Sequence, residues 1–452
     1  MVAAPVAAGL LAGALLLPAG AARAAGPAVP AAPGASAVPG APGAPVASGA
    51  SGAPGTQGTP GDALPGVTQL RRDPAGRPAG CLPPSARGTR LTPWPQTFLR
   101  PDRVWPLTQG DGVTVAVLGS GVTDGPGLLA GRLGYAGRLP GGGDPARDCV
   151  GHGTFLTGLI AADRRAGTGF SGLAPHARIL AVGVTDDTGA TTADLLAQGI
   201  TAAAERGARV IDVGVTLPAG SDALAAAVRQ ARGRGALVVA PAAPDAPPAD
   251  QDGTAKPEPV FPAAYPEVLA VRDLAPGGAP PEDGTAVGGR VDLAAPGAAV
   301  MSTGPAAGGY YTATGSSYAT AFVAGTAALV LGYRPTLTVN QLVDRLETTA
   351  YRPVGTVPDP QLGHGTVDPV SAVTALLAED RPVPSPTAAS VPAVPAARPV
   401  SAAPRQAVLV ALGALAVTAL VALAAVVGSR GRARDWTPAT RRTPEAPASP
   451  RP

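Results

Sequence analysis

Residues 179–215 read ILAVGVTDDTGATTADLLAQGITAAAERGARVIDVGV. Ile179 to Val184 and Val210 to Val215 are short apolar runs of the length that fills a strand buried on both faces. Between them Thr192 to Arg206 is an Ala-rich helical stretch. Strand, helix, strand at this spacing predicts a right-handed crossover between parallel strands. The pattern repeats outward in both directions. Gly112 to Leu118 (GVTVAVL), Ala236 to Ala240 (ALVVA) and Val268 to Val271 (VLAV) read as further strands, and Asp222 to Arg234 as a further helix. The alternation predicts an α/β fold, a doubly wound parallel sheet with helices on both faces. Functional residues in such folds sit beyond the carboxyl ends of the strands.

The regions on either side have a different composition. Gly and Pro cluster before residue 80 and after residue 380. Such stretches cannot bury enough apolar surface to fold, which leaves one well-buried domain of about 300 residues. Residues 2–20 are apolar and run into Ala22-Arg23-Ala24. Together they predict a signal peptide over 1–25, although no basic segment precedes it. A Pro/Gly/Ala-rich linker then spans 26–78, a globular domain 79–380 and a Pro-rich stalk 381–405. Ala407 to Gly428 carries no charge and is long enough to cross a hydrocarbon core of about 30 Å. The alternative, a buried core helix, has nothing folded nearby to pack against. A transmembrane helix over 406–428 is therefore expected. Arg430, Arg432, Arg434, Arg441 and Arg442 follow it. They place the tail, 429–452, in the cytoplasm and the large domain outside the cell membrane.

The net charge of +3 and the low aromatic content (3%) argue against a nucleic-acid partner. The two cysteines, Cys81 and Cys149, read as one disulfide in an extracytoplasmic chain, the alternative being two buried thiols.

Two motifs could carry chemistry. Gly151-His152-Gly153-Thr154 precedes a helical run, Phe155 to Ala162. A His at a helix start between glycines can be approached closely by a peptide, yet a lone His is as well explained as structural. Thr314-Gly315-Ser316-Ser317-Tyr318-Ala319-Thr320-Ala321 leads into the apolar run Phe322 to Leu331. A Ser at a helix N-terminus sits where an oxyanion is favoured, but Ser316 or Ser317 could equally cap the helix.

Taken together, GHGT and GSSYATAFVAG resemble the His and Ser blocks of the subtilisin-like serine proteases. Gly172 to Ile179 (GLAPHARI), Ala294 to Gly297 (AAPG) and Leu362 to Asp368 (LGHGTVD) resemble other segments of that family. The likeness runs from about residue 100 to 378. The terminal signals, the Cys three residues before the His, the stalk and the single helix narrow the resemblance to the mycosins, membrane-bound subtilases associated with type VII secretion in actinobacteria. That resemblance implies a subtilisin-like fold and a Cys81–Cys149 pair. It also implies a His152–Ser317 catalytic pair, and membrane components of a type VII secretion complex as partners. An extended peptide would lie along Gly214 and Thr216. No cofactor is implied, and no acidic loop has convincing calcium-ligand spacing.

The sequence also departs from the family. A subtilase uses an Asp to orient its His, at the end of a segment that here reads VAVLGSGV (Val115 to Val122). Gly119 occupies the Asp position, and the nearest carboxylates in sequence are Asp124 and Asp148. The Asn that donates to the oxyanion belongs in a segment that here reads VVAPAAPD from Val238, so Pro244 or Asp245 stands in its place. The peptide-pairing strand, VGVTL (Val213 to Leu217), is altered as well. Loss of the Asp costs about 10⁴-fold in kcat, and loss of the oxyanion donor roughly 10²–10³-fold. The expectation is a chain with little or no peptidase activity that acts as a structural component of the secretion complex. In it Ser317 would cap its helix and His152 would fill the cleft. The alternatives are an active endopeptidase using another carboxylate, and a module that binds a peptide without cutting it.

Overall fold

Strands buried on both faces must alternate their side chains between two cores, and the central sheet does so. The computed structural model describes residues 64–434 except 74–75, 126–127, 166, 247–256, 283–285, 306–308 and 379–402. The expected signal peptide, most of the linker, most of the stalk and most of the basic tail lie outside the described residues. In chain order the elements are α1 (Trp94–Leu99), a 3-10 turn (Pro101–Arg103), β1 (Thr114–Gly119), β2 (Leu133–Tyr135), α2 (His152–Ala161) and β3 (Arg178–Gly183). Next come α3 (Ala193–Glu205), β4 (Val210–Val213), α4 (Asp222–Gly233), β5 (Leu237–Pro241) and β6 (Val268–Leu274). The series closes with β7 (Leu293–Pro296), β8 (Val300–Thr303), β9 (Tyr310–Ala313), α5 (Ser316–Tyr333), α6 (Val339–Thr348), α7 (Pro369–Thr374) and α8 (Ala403–Arg432).

Seven strands form one sheet in the order β2-β3-β1-β4-β5-β6-β7, and every pairing in it is parallel. β8 and β9 form a separate antiparallel hairpin. Val115 and Val117 of β1 pack into the core that holds α2 and α5, while Ala116 and Leu118 face the core that holds α3 and α4. The expected doubly wound α/β fold is thus present, with β1, β3, β4, β5 and β6 and the helices between them where the apolar runs placed them; β2 and β7 extend the sheet at its two edges.

α5 is the central helix. Ser316 through Leu331 are all buried, as befits a helix that is apolar on every side. It crosses β4, β5, β6 and β7 on one face of the sheet. The Ser block therefore lies at the carboxyl edge of the sheet, beside the start of α2.

Packing begins earlier than residue 79. Val67 is buried; its N–H donates to the Thr312 carbonyl (2.8 Å) and its carbonyl accepts the Tyr318 hydroxyl (3.0 Å). Further along, Cys81 is bonded to Cys149, with a Cα–Cα distance of 4.4 Å. The segment before β1 is thereby fastened to the start of α2. At the other end, Arg405–Arg432 of α8 is long and apolar enough to cross a membrane.

Candidate active site

The GHG motif is written by the fold. Gly151 starts α2 at φ 87°, a left-handed conformation suited to glycine. A Cβ on Gly153 would come within 2.1 Å of the Gly121 carbonyl oxygen. Between them His152 is 1% exposed and its ring packs on Tyr318, with centroids 5.1 Å apart. Ser317, in the first turn of α5, is fully buried, and its Oγ lies 2.9 Å from His152 Nε2. The fold thus brings together the two residues the sequence singled out.

The third member of the cluster is Asp245, four residues beyond β5. Its Oδ1 accepts the Ser317 backbone N–H at 2.9 Å, and its Oδ2 accepts the Ser317 hydroxyl at 2.6 Å. The same Oδ2 is 3.6 Å from His152 Nε2. Of the two residues the sequence offered for the oxyanion position, Asp245 is the one on the Ser. Ser317 does not cap α5 as expected: Gly315 is the N-cap, without a side-chain cap bond, and Asp245 takes up the Ser317 N–H instead. The free N–H of a helix start favours a carboxylate over a hydroxyl of its own turn.

Proton bookkeeping at Ser317 follows from these distances. A hydroxyl has one proton to donate, and the 2.6 Å bond directs it to Asp245. The remaining contact then needs Nε2–H to donate to Ser317 Oγ. A general base at this position requires the opposite, an unprotonated Nε2 that accepts from the Ser. Among the described residues, Nδ1 of His152 has no hydrogen-bond partner that would hold that tautomer.

The empty Asp position has a different character. A Cβ built on Gly119 meets only the Gly153 Cα, at 3.8 Å, an ordinary contact. Crowding therefore does not require a glycine there. Neither sequence neighbour substitutes for the missing carboxylate. Asp124 is exposed. Asp148 is buried and accepts the Ser120 hydroxyl (2.8 Å) and the Gly151 and Thr154 N–H groups (2.7 Å each), holding the first turn of α2. Burial raises its carboxyl above the usual range, and these donors offset that in part.

Gly214 has another role than pairing with a peptide through its N–H, which donates to the Leu118 carbonyl at 2.9 Å. A Cβ there would come within 2.4 Å of Leu156 Cδ1 and 3.2 Å of His152 Cε1. Its bareness makes room for the imidazole. Thr216 is half-buried, and Leu217 next to it is paired in both directions with Phe261.

Among the buried carboxylates that escaped the sequence reading, two lie near α5. Asp273, at the end of β6, accepts the Ser316 hydroxyl at 2.7 Å; burial raises its carboxyl, partly offset by that bond. Asp212 sits inside β4, fully buried, with no donor on either oxygen. The Thr320 hydroxyl nearby gives its proton to the Ser317 carbonyl (2.6 Å). Desolvation pushes the Asp212 carboxyl up to about 7. The signal was present, an Asp in an otherwise apolar strand run, VIDVGV. Among the described residues, no group of three or more His, Cys, Asp or Glu side chains could hold a metal ion.

A parallel sheet carrying His and Ser on adjoining helix starts defines a subtilisin-type serine protease scaffold. Residues 110–368 match the Subtilase family, Peptidase_S8, and the chain belongs to that family. Within it the chain is mycosin-like. It is 35% identical to Mycosin-4 of Mycobacterium tuberculosis over 314 residues, covering 60% of this chain and 67% of that protein. It also resembles the MycP3 protease from the type VII (ESX-3) secretion system, at 31% identity and a TM-score of 0.57, over 70% of this chain and 96% of that one. A chain of the periplasmic assembly from the ESX-5 inner membrane complex is similar at 28% identity and a TM-score of 0.57, over 70% and 92%.

Proposed function

We propose that this chain is a membrane-anchored, extracytoplasmic subtilase of a type VII secretion complex, with its hydrolytic centre held inactive and a structural part in the assembly. The observation that carries the inactive reading is Asp245 on Ser317. Acyl transfer by Ser317 would develop negative charge near its own backbone N–H, the donor an oxyanion needs. The Asp245 carboxylate already occupies that donor and would repel the oxyanion. It also takes the hydroxyl proton that His152 would have to receive. With Gly119 supplying no carboxylate, the imidazole has neither the tautomer nor the charge stabilisation of a general base.

The role in a complex is supported by the relatives, one of which is part of a periplasmic assembly. Anchoring is supported by α8 and by the arginines after it, Arg430, Arg432 and Arg434, which favour a cytoplasmic tail. The proposed division is a signal peptide to residue 25, a linker, a subtilase domain to residue 380, a stalk, the spanning helix and the tail. A peptide held in the cleft without cleavage is compatible with this arrangement, with Thr216 at its edge.

The 2.6 Å Ser317–Asp245 bond favours one other reading, a slow hydrolase in which Asp245 itself is the base. A fluorophosphonate probe on the purified full-length chain separates the two. The inactive reading expects no labelling of wild type and measurable labelling of Asp245→Asn at Ser317. Stoichiometric wild-type labelling, abolished by Ser317→Ala and by Asp245→Asn, would establish Asp245 as the base. The structural role expects Ser317→Ala to co-purify with the secretion complex as well as wild type does. Loss of the complex in that variant would refute it.

A further inference from the structure

We propose that a basic groove built by the N-terminal extension is a docking site for an acidic, extended segment of a partner protein. The groove has a volume of about 490 Å³ and runs between α1 and a wall made by Arg164, Arg165 and residues 168–171. A second depression of about 390 Å³ shares Arg165 and Thr168 with it and reaches Arg90 and Tyr310. None of these residues belongs to the Ser317–His152–Asp245 cluster, so the inference stands whatever that cluster does.

The charge along the trough is one-sided. Arg90 and Arg164 line it against a single carboxylate, Asp102. The nearby Asp163 is engaged by Arg132. Among the described residues neither Arg90 nor Arg164 has a carboxylate partner. Arg164 lies over the Trp105 ring, 4.8 Å from its centroid. The indole is itself fixed by donating to the Leu173 carbonyl at 3.0 Å. A guanidinium stacked this way keeps its in-plane N–H edge free for a bidentate carboxylate.

The trough is also preformed, so little ordering cost attends binding. Its outer wall is the extension. Gly169 is what lets the two sides meet, because a Cβ there would lie 2.4–2.8 Å from atoms of Thr92. The Trp94 indole donates to the Ala298 carbonyl (3.1 Å), and the Gln96 amide donates to the Ser171 carbonyl. Tyr310 joins the floor to the extension through its N–H on the Arg87 carbonyl (2.9 Å) and its hydroxyl on Thr168 (3.1 Å).

The occupant is another chain. Residues 1–61 contain no Asp or Glu, and neither do residues 381–404. Residues 1–61 and 381–404 therefore cannot supply the complementary charge. A flat anionic bilayer meets protruding side chains, whereas these cations line a trough with Arg164 laid flat on its wall. An extended peptide with spaced carboxylates fits both the shape and the charge.

The test uses the full-length chain in phosphatidylcholine nanodiscs and a fluorescein-labelled peptide of alternating Glu and Ser, read by anisotropy. Wild type binds the acidic peptide, more weakly as salt is raised, and does not bind the Gln-for-Glu version. Arg90→Glu with Arg164→Glu weakens binding by roughly tenfold or more. Arg164→Lys, which keeps the charge but not the stacked fork, weakens it less. Unchanged affinity in the double variant, or equal binding of the Gln peptide, would overturn the proposal. So would attachment through Arg90 and Arg164 to phosphatidylglycerol vesicles without peptide binding.

Discussion

Gly119 and Asp245 are neighbours of the same His152–Ser317 pair, and they depart from the subtilase pattern in opposite ways. At the end of β1 a carboxylate is missing where there is room for one, since a Cβ on Gly119 would touch only the Gly153 Cα. Beyond β5 a carboxylate is present where a neutral donor is needed, bonded to the N–H and the hydroxyl of Ser317. The backbone around both is that of a subtilase. The 2.9 Å approach of His152 to Ser317 is kept, as are the glycines that permit it. Packing and the polar site are thus separable here: the core keeps the subtilase frame while the groups around the pair differ from the family pattern.

The strongest challenge to this comparison is to reverse both defects at once. Gly119→Asp combined with Asp245→Asn restores an orienting carboxylate and a neutral donor. Its kcat/KM on a fluorogenic peptide should exceed wild type by about 10⁴-fold or more. Gly119→Asp alone should fall well short of the double variant, because Asp245 still holds the hydroxyl proton. Equal rates in the single and double variants would show that Asp245 is no obstacle.

What the sequence made legible divides along the same line. Strands β1, β3, β4, β5 and β6 and the helices α2 to α5 were readable because long apolar runs encode burial directly, whereas β7 was read only as the AAPG segment. The vacancy at Gly119 was readable because it sits within the motif VAVLGSGV. The role of Asp245 was only half readable. Pro244 and Asp245 are adjacent in a Pro-rich turn, and only the path of that turn decides which of them meets Ser317. Ser317 read as a helix cap because a hydroxyl at a helix start usually is one; that a distant carboxylate would displace it is a tertiary fact. α1, β2 and the β8–β9 hairpin are too short to leave a period. Gly214 was read only as a place for a peptide, in a strand altered from the family pattern; that its N–H bonds to Leu118 and its missing side chain makes room for His152 is a tertiary fact.

A second comparison sets Asp245, with two donors, against Asp212, with none. In the unfolded chain Asp212 ionises near an ordinary value of about 3.9; in the fold its carboxyl stays protonated up to about 7. Its contribution to stability is therefore fullest below about pH 4 and is lost as pH rises through 7. Asp212→Asn removes that loss. Urea unfolding should show the variant gaining on wild type between pH 5 and pH 8, by on the order of 2–4 kcal/mol. Asp148 and Asp273 are raised by burial too, so the slope of wild type alone is not diagnostic and the difference between the two proteins is. A pH-independent difference would mean that Asp212 has a donor or a water in solution.

The smallest effect probes the vacancy itself. Gly119 lies in a strand without a positive φ and with an ordinary contact waiting for a Cβ. Gly119→Ala should therefore stabilise the fold by about 0.5–1 kcal/mol, the usual gain from removing a strand glycine, and add no peptidase activity. Gly153→Ala is the counterpart, since its Cβ would collide with the Gly121 carbonyl at 2.1 Å, and it should destabilise instead. Thermal unfolding of the two variants measures the contrast. If Gly119→Ala also destabilised, there would be no room at the end of β1, and the missing carboxylate would be a consequence of packing rather than of the choice of one residue.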